Sequence, residues 1–139
     1  PVEYGRSEII RKGKKIAVLG VGSMIPSCME ICKGLKDDGY DPTFVNARFV
    51  KPLDVDLLDE LAKDHSLFVT VEENVKSGGY GGHVSASMEA CHPAIRVLSA
   101  AVWDRFVPQG NVESLRSRIG LGVEDIRQAI EDSEELKEQ

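Results

Sequence analysis

The sequence lacks a long apolar run, an excess of positive charge and a rich complement of cysteines. No apolar stretch approaches the roughly 18 residues of a membrane span, and no signal peptide is visible, so we expect no insertion into a membrane. The formal net charge of -6 leaves no positive field to attract phosphates, which argues against general nucleic-acid binding. The three cysteines are few and odd in number, which predicts reduced thiols and a cytoplasmic protein.

The dinucleotide-binding fingerprint is incomplete as well. This fingerprint reads Gly-x-Gly-x-x-Gly or Ala, because the helix must pack closely on the strand at the third position. Gly20 and Gly22 supply the first two glycines, but Ile25 stands third. The next predicted strand ends at residues 46–48 without an acid to hold a ribose. The turn is therefore predicted to be structural.

Two starts are open for the helix that follows this turn. In one, Ser23 helps to cap the helix. In the other, Pro26 takes the first helical position, and Ser27 and Glu30 form a capping box. The sequence does not choose between them.

The sequence also shows no complete set of catalytic or metal-binding residues. Cys28 and Cys32 lie four residues apart and could join Cys91 and His92 around a metal, but no close-spaced ligand pair accompanies them. Buried structural thiols are the better interpretation. No serine or cysteine has a base that is evident from the sequence. We therefore predict no catalytic residue and no metal site in this chain.

Apolar runs of strand length alternate with segments of helical period. This alternation predicts an α/β fold of three layers, with a mainly parallel sheet covered by helices on both faces, in a single domain over residues 1–139. Strands are predicted at Lys15–Gly20, Asp41–Val50, Leu67–Val71 and Ile95–Val102. A first helix is predicted over Ile25–Leu35 and is ended by Gly39, a second begins after Asp54 as its N-cap, and a third covers Val84–Cys91.

The two ends of the chain add smaller elements. Ser7–Arg11 is predicted to pair antiparallel with the first strand, as the edge of a hairpin. Val112–Ile119 and Val123–Ile130 have the pattern of two short amphipathic helices. Glu131–Gln139 is charged and is expected to fray.

The stretch VTVEENVKSGGYGGHV, from Val69 to Val84, crowds four glycines behind two acids. A phosphate cradle is one interpretation, but two carboxylates would repel a phosphate. The preferred interpretation is steric, because glycine permits positive φ and lets another backbone come close. The predicted interface residues are Glu72, Glu73, Gly78, Gly79, Gly81 and Gly82.

Side chains beyond other strands are expected to share one rim with these acids. In an open α/β sheet, sites form at the carboxyl ends of the strands. The expected rim residues are Glu72, Glu73, Arg48 with Lys51, and Asp104 with Arg105.

Several segments, in consistent order over nearly the whole chain, resemble the C-terminal domain of the 1-deoxy-D-xylulose-5-phosphate synthases, a group within the transketolase family. The strongest signals are RFVKPLD and VTVEEN followed by a glycine-rich loop. The matching segments are LGVGSM (Leu19–Met24), NARFVKPLD (Asn46–Asp54), HSLFVTVEENVKSGGYGGHV (His65–Val84), DRFVPQG (Asp104–Gly110) and LRSRIGL (Leu115–Leu121).

This resemblance implies a five-stranded, mainly parallel domain that is the third of three in a longer enzyme. It implies an enzyme that uses thiamine diphosphate and Mg to join a two-carbon unit from pyruvate to glyceraldehyde 3-phosphate, for isoprenoid, thiamine and pyridoxal synthesis. In the family the cofactor site lies in the first two domains, so this chain alone is expected to be inactive. A first residue of Pro1 fits a processed chain or a piece of a longer one.

The resemblance also implies partners and weak site candidates. The domain is expected to pack on the pyrimidine-binding domain and to help form a homodimer. An arginine at the Arg116 position lies near the substrate entrance in the family and can meet a phosphate, and Arg48 is a second candidate. The family usually has Leu-Pro-Asp where this chain has residues 102–104, with Trp103 in place of the proline. An assembly or regulatory subunit of a split transketolase-like enzyme is the alternative.

Overall fold

The computed structural model describes residues 5–48, 52–73, 79–102 and 122–138. Within these ranges, no helix is long and apolar enough to cross a membrane. A short 3₁₀ turn at Gly22–Met24 precedes α1. The elements are β1 (Glu8–Arg11), β2 (Lys15–Gly20), α1 (Ile25–Asp37), β3 (Thr43–Asn46), α2 (Val55–Ala62), β4 (His65–Glu73), α3 (Tyr80–Cys91), β5 (Arg96–Val102) and α4 (Val123–Glu138).

The sheet has five strands in the order β1-β3-β2-β4-β5. The last four in this order are parallel, and β1 is antiparallel to β3. Buried side chains line both faces of the sheet, which makes three layers. The predicted fold class is confirmed, and the bounds of β2 are those predicted.

The predicted partner of the first segment is wrong, since β1 pairs with β3 and not with β2. Both sides of β2 are occupied, by β3 and β4, so no edge of β2 is free for a hairpin. The chain crosses the start of β3 before it enters β2. There the Gly13 amide donates to Thr43 Oγ1 (2.8 Å) and the Lys14 amide to Asp41 O (2.8 Å). A Cβ on Gly13 would lie 2.2 Å from Asp41 O, so only glycine allows this crossing.

Several strands and helices begin or end at residues other than those predicted. β3 ends at Asn46, because the Asn46 side chain accepts from the Arg48 amide (3.0 Å) and Arg48 takes a positive φ of 62°. β4 is longer than predicted and includes both Glu72 and Glu73. α3 begins at Tyr80, four residues before the predicted start at Val84. The predicted helix at 112–119 lies outside the described residues.

Neither predicted cap is present at the start of α1. Met24 is the N-cap and makes no side-chain bond, and Pro26 lies in the first turn, where a missing amide hydrogen leaves no bond unmade. Gly22 has a φ of +56°, which glycine adopts readily. A Cβ on Gly20 would lie 2.7 Å from Cys28 Sγ. The two glycines therefore serve the turn and the close approach of α1 to β2.

Each face of the sheet has its own hydrophobic core. One core lies under α1 and α4 and the other under α2 and α3, in agreement with the right-handed crossovers of a parallel sheet. Phe68 is the largest fully buried side chain of the second core. The first core includes Cys28, Ile31, Leu35, Val69, Ile126 and Ile130, and the second includes Leu19, Val45, Leu58, Phe68, Tyr80 and Met88.

The segment that was expected to fray after Ile130 continues α4 to Glu138. Ile126 and Ile130 are fully buried against the first core. Arg127 crosses α1 where Gly34 has no side chain, and it pairs with Asp38, Glu124 and Glu131. Further along, Arg96 Nη1 donates to Ser133 O (2.8 Å) and Oγ (2.5 Å), which ties the second half of α4 to β5.

The amino-terminal edge of the parallel strands is closed by a buried chain of hydrogen bonds. The Gly13 amide donates to Thr43 Oγ1, so the Thr43 hydroxyl can donate to Nε2 of His65 (2.6 Å). Nδ1 of His65 donates to Leu61 O (2.8 Å), which can only accept, and it also lies 2.7 Å from Asp64 Oδ1. One histidine thus joins the β1–β2 connection, β3 and the end of α2.

Candidate functional site

The carboxyl-terminal edge of the sheet brings together some of the predicted rim residues. Glu72 and Glu73 end β4, Arg48 follows β3, and Ser23 follows β2. Lys51, Asp104 and Arg105 lie outside the described residues, and so does Arg116.

Glu72 caps α3. Its carboxylate accepts hydrogen bonds from the backbone amides of Tyr80 (2.9 Å) and Gly81 (2.6 Å). The N-cap residue Gly79 has no side chain to supply this acceptor. A carboxylate at a helix N-terminus is favoured both by the free amides and by the helix dipole. The chain's own acid therefore fills the position where a phosphate cradle would bind its ligand.

Gly81 is needed where α3 meets the sheet. A Cβ at this position would lie 2.7 Å from Thr70 Oγ1, 2.9 Å from Glu72 Oε2 and 2.9 Å from Ser99 Oγ. These separations are shorter than any ordinary contact to a Cβ atom, so a side chain at residue 81 would push α3 away from β4 and β5. The close approach predicted for the glycine cluster thus includes packing within the chain.

The other glycines of the cluster have different surroundings. Gly82 faces open space, with no atom within 4 Å of an added Cβ, and it is exposed. Gly79 has φ -71° and ψ -170°, an extended conformation that any residue adopts. Gly78 lies outside the described residues. The expectation of positive φ is thus not met at Gly79, nor in the helical Gly81 and Gly82.

Tyr80 extends from the start of α3 into the second core, and 2% of its surface is exposed. Burial, followed by the nearby carboxylates of Asp54 and Glu72, raises the pKa of its phenol above the ordinary value. Two buried polar atoms, Thr70 Oγ1 on β4 and His83 Nε2 on α3, have no hydrogen-bond partner among the described residues. Neither is part of a recognisable catalytic arrangement.

Glu73 has a different role from that of Glu72. Its carboxylate accepts a hydrogen bond from Ser23 Oγ, on the 3₁₀ turn after β2. The Val21 amide donates to Val71 O (3.1 Å) at the same place. These two bonds join the carboxyl ends of β2 and β4. The connection after β2 leads outward to β3, and the connection after β4 leads outward to β5 on the other side, so the strand order reverses between β2 and β4.

Arg48 lies at the same edge, and its guanidinium is paired within the chain. Nη2 of Arg48 is 3.1 Å from Glu8 Oε1 on β1. The pair is partly exposed to solvent. The role of Arg48 toward a substrate phosphate stays a prediction, and so does that of Arg116.

Asp54 is the N-cap of α2, as predicted, and accepts from the Leu57 amide (3.2 Å). Its second oxygen accepts from the Ser7 amide (2.8 Å), and Arg6 Nη1 pairs with Asp54 (3.3 Å) and Asp56 (3.1 Å). Two of the helix N-termini at this edge, those of α2 and α3, thus bind carboxylates of the chain itself.

The cysteines occupy positions that agree with a structural role for two of them. Cys28 and Cys32 are buried in the first core, and burial raises the pKa of both thiols to about 12. Cys91 is exposed at the end of α3. Within the described ranges, no group of three His, Cys, Asp or Glu side chains is arranged to hold a metal ion.

Sequence reasoning missed several residues that shape this edge, among them Ser23 as the partner of Glu73, and Thr70 and Ser99 as the neighbours of Gly81. A weak signal was present for Glu72, because an acid at the end of a strand followed by a glycine-rich segment is a suitable cap for the next helix. No comparable signal marks Thr70 or Ser99, since their contacts depend on how α3 lies on the sheet.

Comparison with known proteins gives a consistent result. Residues 5–126 match the family model described as "Transketolase, C-terminal domain". The 1-deoxy-D-xylulose-5-phosphate synthase of Dictyoglomus thermophilum is 41% identical over 129 residues, which are 93% of this chain and 21% of that protein. The corresponding synthase of Nitrosospira multiformis is 44% identical over 126 residues, 91% of this chain and 20% of that protein. The chain spans about a fifth of the length of these curated relatives.

Solved structures of two transketolases are similar to the chain. A split gene transketolase, described as an inactive beta4 tetramer, superposes with a TM-score of 0.76 at 30% identity, over 94% of this chain and 43% of that one. The transketolase from Campylobacter jejuni superposes with a TM-score of 0.56 at 17% identity, over 92% of this chain and 18% of that one. The second likeness shows the fold alone.

Proposed function

Because this chain belongs to the transketolase C-terminal domain family, we propose that it forms the C-terminal domain of a 1-deoxy-D-xylulose-5-phosphate synthase. The curated relatives that carry this name match over about nine tenths of the chain. The whole enzyme would join a two-carbon unit from pyruvate to glyceraldehyde 3-phosphate in the cytoplasm, as a homodimer, for isoprenoid, thiamine and pyridoxal synthesis.

Within that enzyme the domain has a structural role, and one observation carries this part of the proposal. At the carboxyl edge, where open α/β sheets bind their ligands, Glu72 already occupies the N-terminus of α3. The edge is therefore built to hold its own helices in place and to present a surface to a neighbour.

The described residues do not fit thiamine diphosphate with Mg. A diphosphate needs free backbone amides or cationic side chains. At this edge the amides of Tyr80 and Gly81 are bonded to Glu72, the Leu57 amide is bonded to Asp54, and the Arg48 guanidinium is paired with Glu8. We therefore assign the cofactor to the other domains of the enzyme and attribute no chemical step to this chain.

The proposal is tested by separating the domain from its partners. The chain alone is expected to show no turnover of pyruvate and glyceraldehyde 3-phosphate. Adding the first two domains as a separate chain is expected to restore activity as the two chains associate. Turnover by this chain alone would overturn the non-catalytic role, and failure of the mixture to gain activity while the chains associate would count against the synthase.

A matched pair of glycine variants tests the interface assignment. Gly82→Leu places a side chain in open space, so we expect the domain to fold normally and to restore less activity in the mixture. Gly81→Leu is expected to destabilise the domain itself. If Gly82→Leu restores full activity, the exposed part of the glycine cluster does not contact the other domains.

A second candidate is an assembly or regulatory subunit of a split transketolase-like enzyme. The 30% identity to a split gene transketolase favours it. The two candidates differ in their genes, because a continuous reading frame upstream that encodes a diphosphate site supports the single-chain synthase. A start codon close to the segment that encodes Pro1 supports the separate subunit.

A further inference from the structure

The outermost strand β1 presents exposed apolar side chains. Ile9 and Ile10 are 41% and 46% exposed, and they are neighbours on a strand that has a partner, β3, on one side. Met29 and Val55, the other exposed large hydrophobic residues of the described ranges, lie apart on helices. An edge strand with apolar side chains and unpaired backbone groups is a template for pairing with another strand.

The charges of β1 make it complementary to itself. The strand reads Glu8, Ile9, Ile10, Arg11. Its register shift sets Glu8 beside Asn46 and Arg11 beside Phe44, two residues apart on β3, so both charged side chains lie on one face of the sheet. A second copy laid antiparallel on β1 would set Glu8 opposite Arg11, with Ile9 and Ile10 between these charges. Opposite charges and apolar side chains that face each other across antiparallel strands stabilise the pairing.

The intrachain ion pairs extend this complementarity. Glu8 is bonded to Arg48 (3.1 Å), and Arg11 to Asp41 (2.8 Å). Across a two-fold axis the order of charges would be Arg48 and Glu8 of one copy, followed by Arg11 and Asp41 of the other. Charges of alternating sign would thus line the seam, which is the line along which residues 8–11 of the two copies meet.

We propose that β1 pairs antiparallel with β1 of a second copy of this chain and joins the two five-stranded sheets into one. The register sets Glu8 of each copy against Arg11 of the other. The proposal depends on the exposed strand and its charges, and it does not depend on the enzyme of which the chain is a part.

The pairing is expected to be weak. β1 has four residues, and its register to β3 shifts between Ile9 and Arg11, which is a feature that blunts sheet edges. Four residue pairs bury less than the roughly 1,600 Å² of a standard stable interface. We expect a dissociation constant of the order of 100 µM, which corresponds to a transient interface.

Sedimentation velocity of the 139-residue chain tests the proposal, at concentrations from about 10 µM to about 1 mM that bracket this affinity. We expect a reversible monomer–dimer equilibrium. Ile10→Lys, which adds a charge to the seam, should leave the chain monomeric. Met29→Lys removes an exposed apolar side chain from α1 and should leave the equilibrium unchanged.

Charge reversal gives a sharper test. Glu8→Arg or Arg11→Glu alone sets like charges opposite each other twice, by symmetry, and is expected to weaken the dimer about tenfold. The double variant E8R/R11E restores opposite charges across the seam and should return to within about threefold of the original affinity. Because the double variant loses both intrachain ion pairs, its recovery can come only from the second copy.

Three results would overturn the proposal: a monomer at every concentration, a dimer that survives Ile10→Lys, or a double reversal that is no better than the single ones. Circular dichroism checks that each variant is folded. If the variants fail to fold, hydrogen exchange of the unmodified chain decides, since the amides of β1 should become more protected as concentration rises. Protection that is independent of concentration would contradict the pairing.

Discussion

At the amino-terminal edge of the parallel sheet, buried polar groups bond to one another, whereas at the carboxyl-terminal edge carboxylates bond to the starts of helices. His65 links Thr43 and Leu61 in a closed chain at the first edge. At the second edge Glu72 caps α3, and two buried polar atoms, on Thr70 and His83, have no partner among the described residues.

The amino-terminal edge thus stabilises the fold, whereas the carboxyl-terminal edge presents a surface to other domains. A buried and fully bonded network specifies one arrangement, because breaking any member leaves other groups unsatisfied. A capped edge fixes its helices locally but leaves its outer surface to vary, which suits contact with other domains. We therefore expect substitutions at the amino-terminal edge to affect stability and substitutions at the exposed carboxyl-terminal edge to affect assembly.

The largest expected effect comes from His65→Leu. The side chain is completely buried, and its loss leaves the proton of the Thr43 hydroxyl without an acceptor. It also removes one of the donors to the Leu61 carbonyl, which keeps its bond from the Asp64 amide. We expect the free energy of unfolding, from urea denaturation, to fall by about 3 kcal/mol. His92→Leu is the matched control, because His92 is partly exposed and pairs with Asp59 at the surface, where such a pair contributes less than about 1 kcal/mol.

A double-mutant cycle locates this effect in the hydrogen-bonded chain. Thr43→Val removes the hydroxyl that bonds Nε2 of His65. The double variant should lose about 1 kcal/mol less than the sum of the single losses, because each single change already breaks the shared bond. Strictly additive losses would show that the bond between Thr43 and His65 adds nothing measurable to stability, and the amino-terminal edge would then not act as one connected network.

The next effect compares two neighbouring glycines at the carboxyl-terminal edge. Gly81→Ala forces a methyl group against Thr70, Glu72 and Ser99, so we expect a loss of about 2 kcal/mol. Gly82→Ala has open space and should gain about 0.5 kcal/mol, because alanine favours a helix interior over glycine. Thermal unfolding of both variants measures the difference. Equal changes in stability would mean that α3 can shift to make room for a methyl group at residue 81, and that the close contacts of Gly81 do not fix the position of the helix.

Much of the fold follows from the sequence, for reasons that are local. Lys15–Gly20 is a continuous apolar run, which is typical of a strand buried on both faces, and the structure gives it those bounds. Asp54 stands before a helical period and is the N-cap. In both cases the residues that decide the structure lie within a few positions of one another.

The features that could not be predicted depend on contacts distant in the sequence. Glycine composition indicated a loop up to Val84. The helix starts at Tyr80 instead, because the Tyr80 and Gly81 amides donate to Glu72 and because Gly81 packs on the sheet. His65 had no sequence signal, because its partner Thr43 lies 22 residues away. The pairing of β1 with β3 required the crossing at Gly13, which depends on the backbone of Asp41.

The smallest effect distinguishes the two adjacent acids at the end of β4. Glu72→Gln keeps an acceptor oxygen for one of the two backbone amides but sets its NH2 group, a donor, against the other. It also removes the charge that the dipole of α3 favours, so we expect a loss of about 1 kcal/mol. Glu73→Gln affects one bond, from the exposed Ser23, and should change stability by less than about 0.5 kcal/mol. Urea denaturation at low and high salt measures both variants, and the loss at Glu72 should shrink with salt because screening weakens the dipole term. Equal losses that do not vary with salt would mean that Glu72 does not act as the anion of this edge, and the position at α3 would then be open to an external ligand.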